Sequence, residues 1–359
     1  MYPIRVGQKL PELLDLESII DELRDRAEVS VVAHAEHRNY RLPIYKVVMG
    51  SKDPQAPVLG LFGGVHGLER IGSQVILSIL RSVVELLSWD SVINRTLKES
   101  RLVFMPIINP VGMMLKQRSN GNGVDIMRNA PVEADGTSYP LIGGHRISSR
   151  LPWYRGSAVN SMEVETRAII DVVEKEMSKS KVAISVDFHS GFGVQDQLWF
   201  PYAKTTAPFP QLAEMYGLKA LLDRTYPNHF YVVEPQSQNY TTHGDVWDYV
   251  YDNMRTRNLI SHVGSQETSS RNQVYMPLTL EMGSWLWVKK NPRQALTALG
   301  PFNPVMPHRR QRILRRHNTL FEFLLRSIIS HDPWAHLKEE SRRKFERKAL
   351  ELWYNNDKP

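Results

Sequence analysis

The sequence predicts an α/β fold: a mixed, largely parallel twisted sheet with helices on both faces, followed by a basic helical extension. Three observations carry this. Short apolar runs rich in β-branched residues recur along the chain, as APVLGLFGG, RLVFMPIINP, KVAISVDFH and PLTLEMG. Stretches with apolar residues at helical spacing lie between several of them, the alternation expected of strands covered by helices. Polar residues capable of chemistry stand where those strand-like runs end.

The elements follow in order. LDLESIIDELRD repeats Leu16, Ile19, Ile20 and Leu23 at helical spacing, and SVVAHAEHRNYRLPIYKVVMG reads as two strands about a polar turn. APVLGLFGG then gives a strand ending in glycines, and IGSQVILSILRSVVELL a helix. SMEVETRAIIDVVEKEM is a further helix before the strand KVAISVDFH. Near the end, RRQRILRRHNTLFEFLLRSIIS places Ile313, Leu314, Leu320, Phe321, Leu324, Leu325 and Ile328 on one face, and KEESRRKFERKALELWY offers a second helix. Residues 110–161 and 253–273 fit neither period and read as long loops, which in compact domains are usually functional.

With 359 residues the chain can bury a large core. The division expected is a catalytic body over residues 1–302 and an extension over 303–359 packed on it. Of the net charge of +7, +6 belongs to the extension, which holds 13 Lys/Arg against 7 Asp/Glu and leaves 32 against 31 for the body. No cysteine is present, so disulfides, Cys-ligated metals and thiol nucleophiles are excluded. Any metal must be held by His, Asp and Glu. The first residues lack the apolar run of a signal peptide, and Arg81 and Glu85 interrupt the most apolar stretch, so the expectation is a cytoplasmic protein with no membrane association.

There is no GxSxG, GxxxxGK or HExxH pattern. Instead His66 and Glu69 follow one strand in GGVHGLER, His189 ends another, and Glu281 ends a third. In open α/β sheets the carboxyl ends of strands form the ligand crevice. Two histidines and one glutamate are a common ligand set for catalytic Zn2+, with a position left for water. His66 and Glu69 are three residues apart at the entry to a helix, so both side chains can point one way. Glu281 remains as a general base.

The full set of motifs resembles the M14 metallocarboxypeptidases. HGLE stands at 66–69, INP at 108–110, GVDIMRN at 123–129, VDFHS at 186–190 and TLE at 279–281, with His189 following His66 by 123 residues. The resemblance spans roughly residues 40 to 300. It implies that His66, Glu69 and His189 hold zinc and that Glu281 activates water and returns the proton to the leaving amine. It further implies that Arg118, with Lys116 as the competing cation, stabilises the oxyanion. Arg128 would grip a substrate carboxylate, Tyr240 would bind substrate, and Trp247 would line the specificity pocket. The alternatives are an Arg128–Asp125 ion pair and ordinary core places for Tyr240 and Trp247.

Two positions depart from the family pattern. Met127 replaces the asparagine before Arg128 and cannot donate a hydrogen bond to a carboxylate, so Met127→Asn is expected to lower KM for free-acid peptides. Gly67 and Leu68 stand where the HxxE motif often carries an arginine. Both losses fall on recognition of a free C-terminus. Three readings are therefore open: a zinc carboxypeptidase acting on peptides, a zinc deacylase of N-acyl amino acids, and a non-catalytic protein whose basic extension binds a polyanion. Nucleic acid is not an expected partner, because the apolar face of the first extension helix suits packing on the body.

Overall fold

The computed structural model describes residues 4–136, 138–157, 162–262 and 273–355. Its eight-stranded sheet has the order β1-β2-β4-β3-β5-β8-β6-β7. These strands are β1 (Glu28–His37), β2 (Tyr40–Gly50), β3 (Val58–Gly63), β4 (Arg101–Met105), β5 (Val182–Ser190), β6 (Gln197–Phe200), β7 (Val232–Pro235) and β8 (Val274–Met282). The central four, β4, β3, β5 and β8, run parallel, and antiparallel pairings join β2 to β4 and β6 to β8. β3, β4 and β5 are buried along their whole length, which their near-continuous apolar runs require of strands covered on both faces.

The helices are α1 (Ile4–Lys9), α2 (Pro11–Leu23), α3 (Arg70–Trp89), α4 (Ser91–Glu99), α5 (Pro110–Leu115), α6 (Val164–Met177), α7 (Leu212–Thr225), α8 (Val246–His262), α9 (Trp285–Lys290), α10 (Pro307–Ile329) and α11 (Glu339–Trp353). α3 packs on β3 and β5, with α2 and α10 against it, while α6 touches β3 and α8 touches β8. α3 is long and apolar enough to pass for a membrane span, yet 56% of that stretch is buried inside the protein. At Gly72 a Cβ would stand 2.2 Å from the Phe188 carbonyl oxygen, so only glycine lets α3 lie this close to β5.

Chain order explains the crevice. From β3 the chain crosses to β4 on one side and then returns to β5 on the other. The carboxyl ends of β3 and β5 thus form a topological switch point, where such sheets bind ligands.

The segment at 253–273 is not a loop throughout. α8 continues to His262, carried by Val246, Trp247, Val250, Tyr251 and Met254, which repeat at helical spacing and are all buried. Residues 263–272 lie outside the described residues. Among its described residues the other long segment contains α5 and a 3₁₀ turn at Ile126–Arg128, and a bridge pairs His145 with Tyr154. In the extension, α10 buries Ile313, Leu320, Phe321, Leu324, Leu325 and Ile328, and α11 packs on α7 with Trp353 Nε1 donating to the Val233 carbonyl at 2.8 Å. On α11, Arg342 pairs with Glu214 and Arg343 with Glu339.

Candidate functional site

His66, Glu69 and His189 converge, with one ligand atom from each within 4.8 Å of the others and all three side chains buried. His66 and Glu69 come from the turn between β3 and α3, which rests on backbone that only glycine tolerates. Gly64 has φ +67°, and a Cβ on Gly67 would stand 2.0 Å from the Gly112 carbonyl carbon. Asn109 fastens this turn to the next: it accepts from Gly112 N at 2.8 Å while donating to the carbonyls of Val65 at 3.0 Å and Ser119 at 3.2 Å. Arg70 completes the anchorage by donating to Glu12 and to the carbonyls of Lys9 and Met113.

His189 and Glu281 are register partners on the adjacent strands β5 and β8. His189 Nδ1 lies 3.1 Å from Glu69 Oε2, which also accepts from Ser190 N at 2.9 Å. On the other side, His189 Nε2 is 2.8 Å from Asp187 Oδ2, though not in line for a hydrogen bond. Asp187 shares its strand face, being two residues away, and Trp247 Nε1 holds the same Oδ2 at 3.0 Å.

Arg118 contacts two of the three converging residues. Its Nη2 donates to His66 Nε2 at 2.7 Å, its Nη1 approaches Glu69 Oε1 at 3.4 Å, and its Nε donates to Asp125 Oδ2 at 2.8 Å. Asp125 Oδ1 also lies 3.7 Å from His66 Nδ1. Lys116, the competing cation, is exposed in a left-handed conformation at the end of α5.

The electrostatics divide the two histidines. Burial and then the Arg118 charge hold His66 well below its ordinary value, which keeps it in the neutral form a metal requires. Burial also opposes the charged form of His189, but Asp187 and Glu69 outweigh it and raise His189 well above its ordinary value. Burial favours protonation of Glu69, yet the two histidines and Arg118 keep its carboxyl low. For Glu281, burial leads and pushes the carboxyl up to about 8.

These residues fit a zinc ion. Zinc takes imidazole nitrogen and carboxylate oxygen at about 2.0–2.2 Å, and one ligand atom from each of His66, Glu69 and His189 lies within 4.8 Å of the others, while the neighbouring Glu281 Oε2 is buried without a hydrogen-bond partner. A cation is what a buried cluster with a carboxylate and orphaned lone pairs calls for. Asp187 supports His189 from behind, and partners of this kind are worth about 10–100-fold in metal affinity. Asp187→Asn is therefore expected to weaken zinc binding by that factor with secondary structure unchanged, as read by competition with a chromophoric chelator.

The other residues singled out by sequence fall differently. Tyr240 reaches the site: burial raises its hydroxyl above the ordinary value, and it feels the charges of Arg128, Glu281 and Arg118. It packs its ring against Phe192 and Trp199, each with centroids 6.1 Å away. Arg128 is buried and its Nε faces the Ile142 carbonyl at 3.4 Å. It makes no ion pair with Asp125, which is committed to Arg118. Gly244, at φ +72°, would place a Cβ 1.9 Å from the Arg128 carbonyl oxygen, so glycine there lets the Tyr240 segment cross this backbone.

Trp247 takes a core place. It is 3% exposed, packs edge-on to Phe62 at 5.0 Å and spends its N–H on Asp187. Met127 is likewise a core residue at 4% exposure, on a turn that touches α6 and α8. The expectation that Met127→Asn would simply improve free-acid binding gives way: an amide there is buried, and we expect the variant to lose about 2 kcal/mol or more of stability in urea unfolding. Sequence reasoning missed Asp125 and Asp187 as supports. The D-x-H spacing on one strand was the available signal for Asp187; nothing local marked the Asp125–His66 approach.

A cleft of about 1420 Å³ lies apart from this constellation, lined by Arg309, Arg312, Arg315 and Arg316 of α10 among others, and includes none of the predicted site residues.

Comparison with known proteins agrees with this geometry. Residues 22–282 match the Peptidase M14 family, described as zinc carboxypeptidase. The carboxypeptidase N catalytic chain of Rattus norvegicus is 27% identical over 173 residues, and carboxypeptidase SOL1 of Arabidopsis thaliana is 29% identical over 75. Those matches cover 44% and 21% of this chain but only 35% and 15% of the relatives' own lengths. Among solved structures, thrombin activatable fibrinolysis inhibitor superposes with TM-score 0.56 at 18% identity over 87% of this chain and 77% of that one. Carboxypeptidase A from Helicoverpa armigera gives 0.54 at 16% identity, over 85% and 71%. At such identity the likeness speaks for the fold, while the family match covers most of the chain: it belongs to the M14 zinc carboxypeptidase family, whose metal is zinc.

Proposed function

We propose that the protein is a zinc-dependent metallocarboxypeptidase that releases a C-terminal residue from a peptide. The observation that carries this reading is the placement of a buried arginine, Arg128, whose charge acts on Tyr240 together with those of Glu281 and Arg118. An anion receptor next to a hydrolytic centre suits a substrate that ends in a carboxylate close to its scissile amide. Zinc, held by His66, Glu69 and His189, supplies Lewis acidity toward a carbonyl and acidifies water.

This chain's own residues do the rest. Glu281 accepts a proton from the attacking water and delivers it to the departing amine. Arg118, held fully charged by Asp125 and Glu69 against the cost of its burial, stabilises negative charge that develops on the carbonyl oxygen. Arg128 offers a planar fork to the substrate carboxylate, and Tyr240 closes beside it.

A second reading is a small N-acyl amino acid, which also carries a carboxylate close to its scissile amide, so that its hydrolysis would use the same residues; Met127, a core residue, does not separate the two. Kinetics on a matched free-acid and amidated peptide pair, with an N-acyl amino acid beside them, test the assignment. The free acid is expected to be preferred by at least tenfold in kcat/KM, and Arg128→Lys to erase most of that preference, since a hydrogen bond to a charged group is worth about 1.5–3 kcal/mol. Equal rates on the free acid and the amide contradict the role of Arg128. Turnover confined to the N-acyl amino acid selects the deacylase.

A further inference from the structure

We propose that the turn between α10 and α11 holds a second divalent metal ion, through His331, Asp332 and His336. The ligand atoms of these three residues lie within 4.8 Å of one another. His331 Nδ1 is 3.5 Å from Asp332 Oδ1, and His336 Nδ1 is hydrogen-bonded to the same oxygen at 3.2 Å. Neighbouring donors in a tetrahedral zinc shell stand about 3.3 Å apart, given bonds of about 2.0–2.1 Å. Both spacings are close to that value, so a metal ion bound here would replace the His336–Asp332 hydrogen bond and also engage His331, whose Nδ1 is too far from Asp332 for a good hydrogen bond. His331 Nδ1 is buried and has no hydrogen-bond partner, an unmet cost that coordination removes. The two rings cross nearly perpendicular, at 82° with centroids 4.7 Å apart, so they are not stacked face to face.

The turn is built to hold these side chains still. His331's carbonyl accepts from Trp334 N at 3.1 Å and Ala335 N at 2.8 Å, closing one helical turn that brings Asp332 and His336, four residues apart, onto one side. Trp334 is fully buried, donates its Nε1 to the Ser327 carbonyl at 2.9 Å, and packs against Gly217 of α7, where a Cβ would come within 3.1 Å of its backbone. Asp332 and His336 stand at the rim of a cleft of about 920 Å³ beside Glu214 and Arg342, the pair that joins α7 to α11. A metal here would pin the turn on which α11 depends for its seat. Two imidazoles and one carboxylate suit zinc, nickel or copper rather than magnesium or calcium. Lys181 is close enough to oppose positive charge at His331, so this site is expected to bind more weakly than the buried one.

The test uses the full chain, stripped with chelator and titrated with zinc, with bound metal counted by elemental analysis. Wild type should bind one equivalent more than His336→Ala. Asp332→Asn, an isosteric change at an exposed residue, should weaken the same equivalent by at least tenfold without disturbing the fold. His189→Ala should lose a different equivalent, and the His189→Ala/His336→Ala double variant both. Because the readout is a difference in metal count, it stands whether or not the protein hydrolyses peptides. Equal counts in wild type, His336→Ala and Asp332→Asn would overturn the proposal, as would a count in His189→Ala/His336→Ala no lower than in His189→Ala.

Discussion

Glu281→Gln should keep its zinc and its fold and lose about two to four orders of magnitude in kcat on any substrate the wild type hydrolyses. The amide is isosteric but cannot accept a proton. Burial has pushed the Glu281 carboxyl up to about 8, with Glu69 and Asp187 adding to the shift and His189 and Arg118 opposing it. A base must be deprotonated to act, so activity should fall as pH drops through that group's pKa, which a bound cation lowers from the metal-free figure. The sign for stability is opposite. A carboxyl with a raised folded-state pKa costs stability as pH rises above its unfolded value of about 4.3. Glu281→Gln should therefore be at least as stable as wild type at neutral pH, and a thermal melt separates lost chemistry from lost folding. Near-native kcat in this variant contradicts the assignment of the base.

His189→Ala should lose the zinc held with His66 and Glu69, because two remaining ligands hold a catalytic zinc poorly. The change also leaves two buried carboxylates, Asp187 and Glu69, without the imidazole that lies between them. Breaking a buried pair in this way typically costs about 3–5 kcal/mol, so the metal-free variant should be markedly less stable than metal-free wild type. In the wild type the proton on His189 competes with the metal, since Asp187 and Glu69 raise its pKa. Zinc affinity should thus fall as pH falls, with proton release on binding that calorimetry in buffers of different ionisation enthalpy can count. Full metal occupancy in His189→Ala, with only the loss of His336 reducing it further, contradicts the ligand set.

The parts of the fold and site that were legible in the sequence share one property: their signals are local. Strands buried on both faces read as apolar runs, and His66, Glu69, His189 and Glu281 stand where those runs end, so their convergence follows from parallel pairing of β3, β5 and β8. α8 was harder to read. Its polar surface residues Arg255 and Arg257 dominate the composition of a segment whose buried stripe is only five residues. The resemblance assigns Trp247 to the specificity pocket, but helix geometry turns it toward Asp187 and Phe62. Asp125 reads as a partner for its near neighbour Arg128. The long segment instead folds Arg118 back onto it, a choice made by tertiary contacts that no short window contains.

The central claim is that this cluster hydrolyses the last peptide bond of a free-acid chain, and mass spectrometry of the products tests it most directly. A panel of free-acid peptides is incubated with zinc-loaded protein, with chelated protein and with Glu281→Gln. Loss of a single C-terminal residue is expected only with the zinc-loaded wild type. Internal cleavage, or loss of the same residue at the same rate from Glu281→Gln, would contradict it.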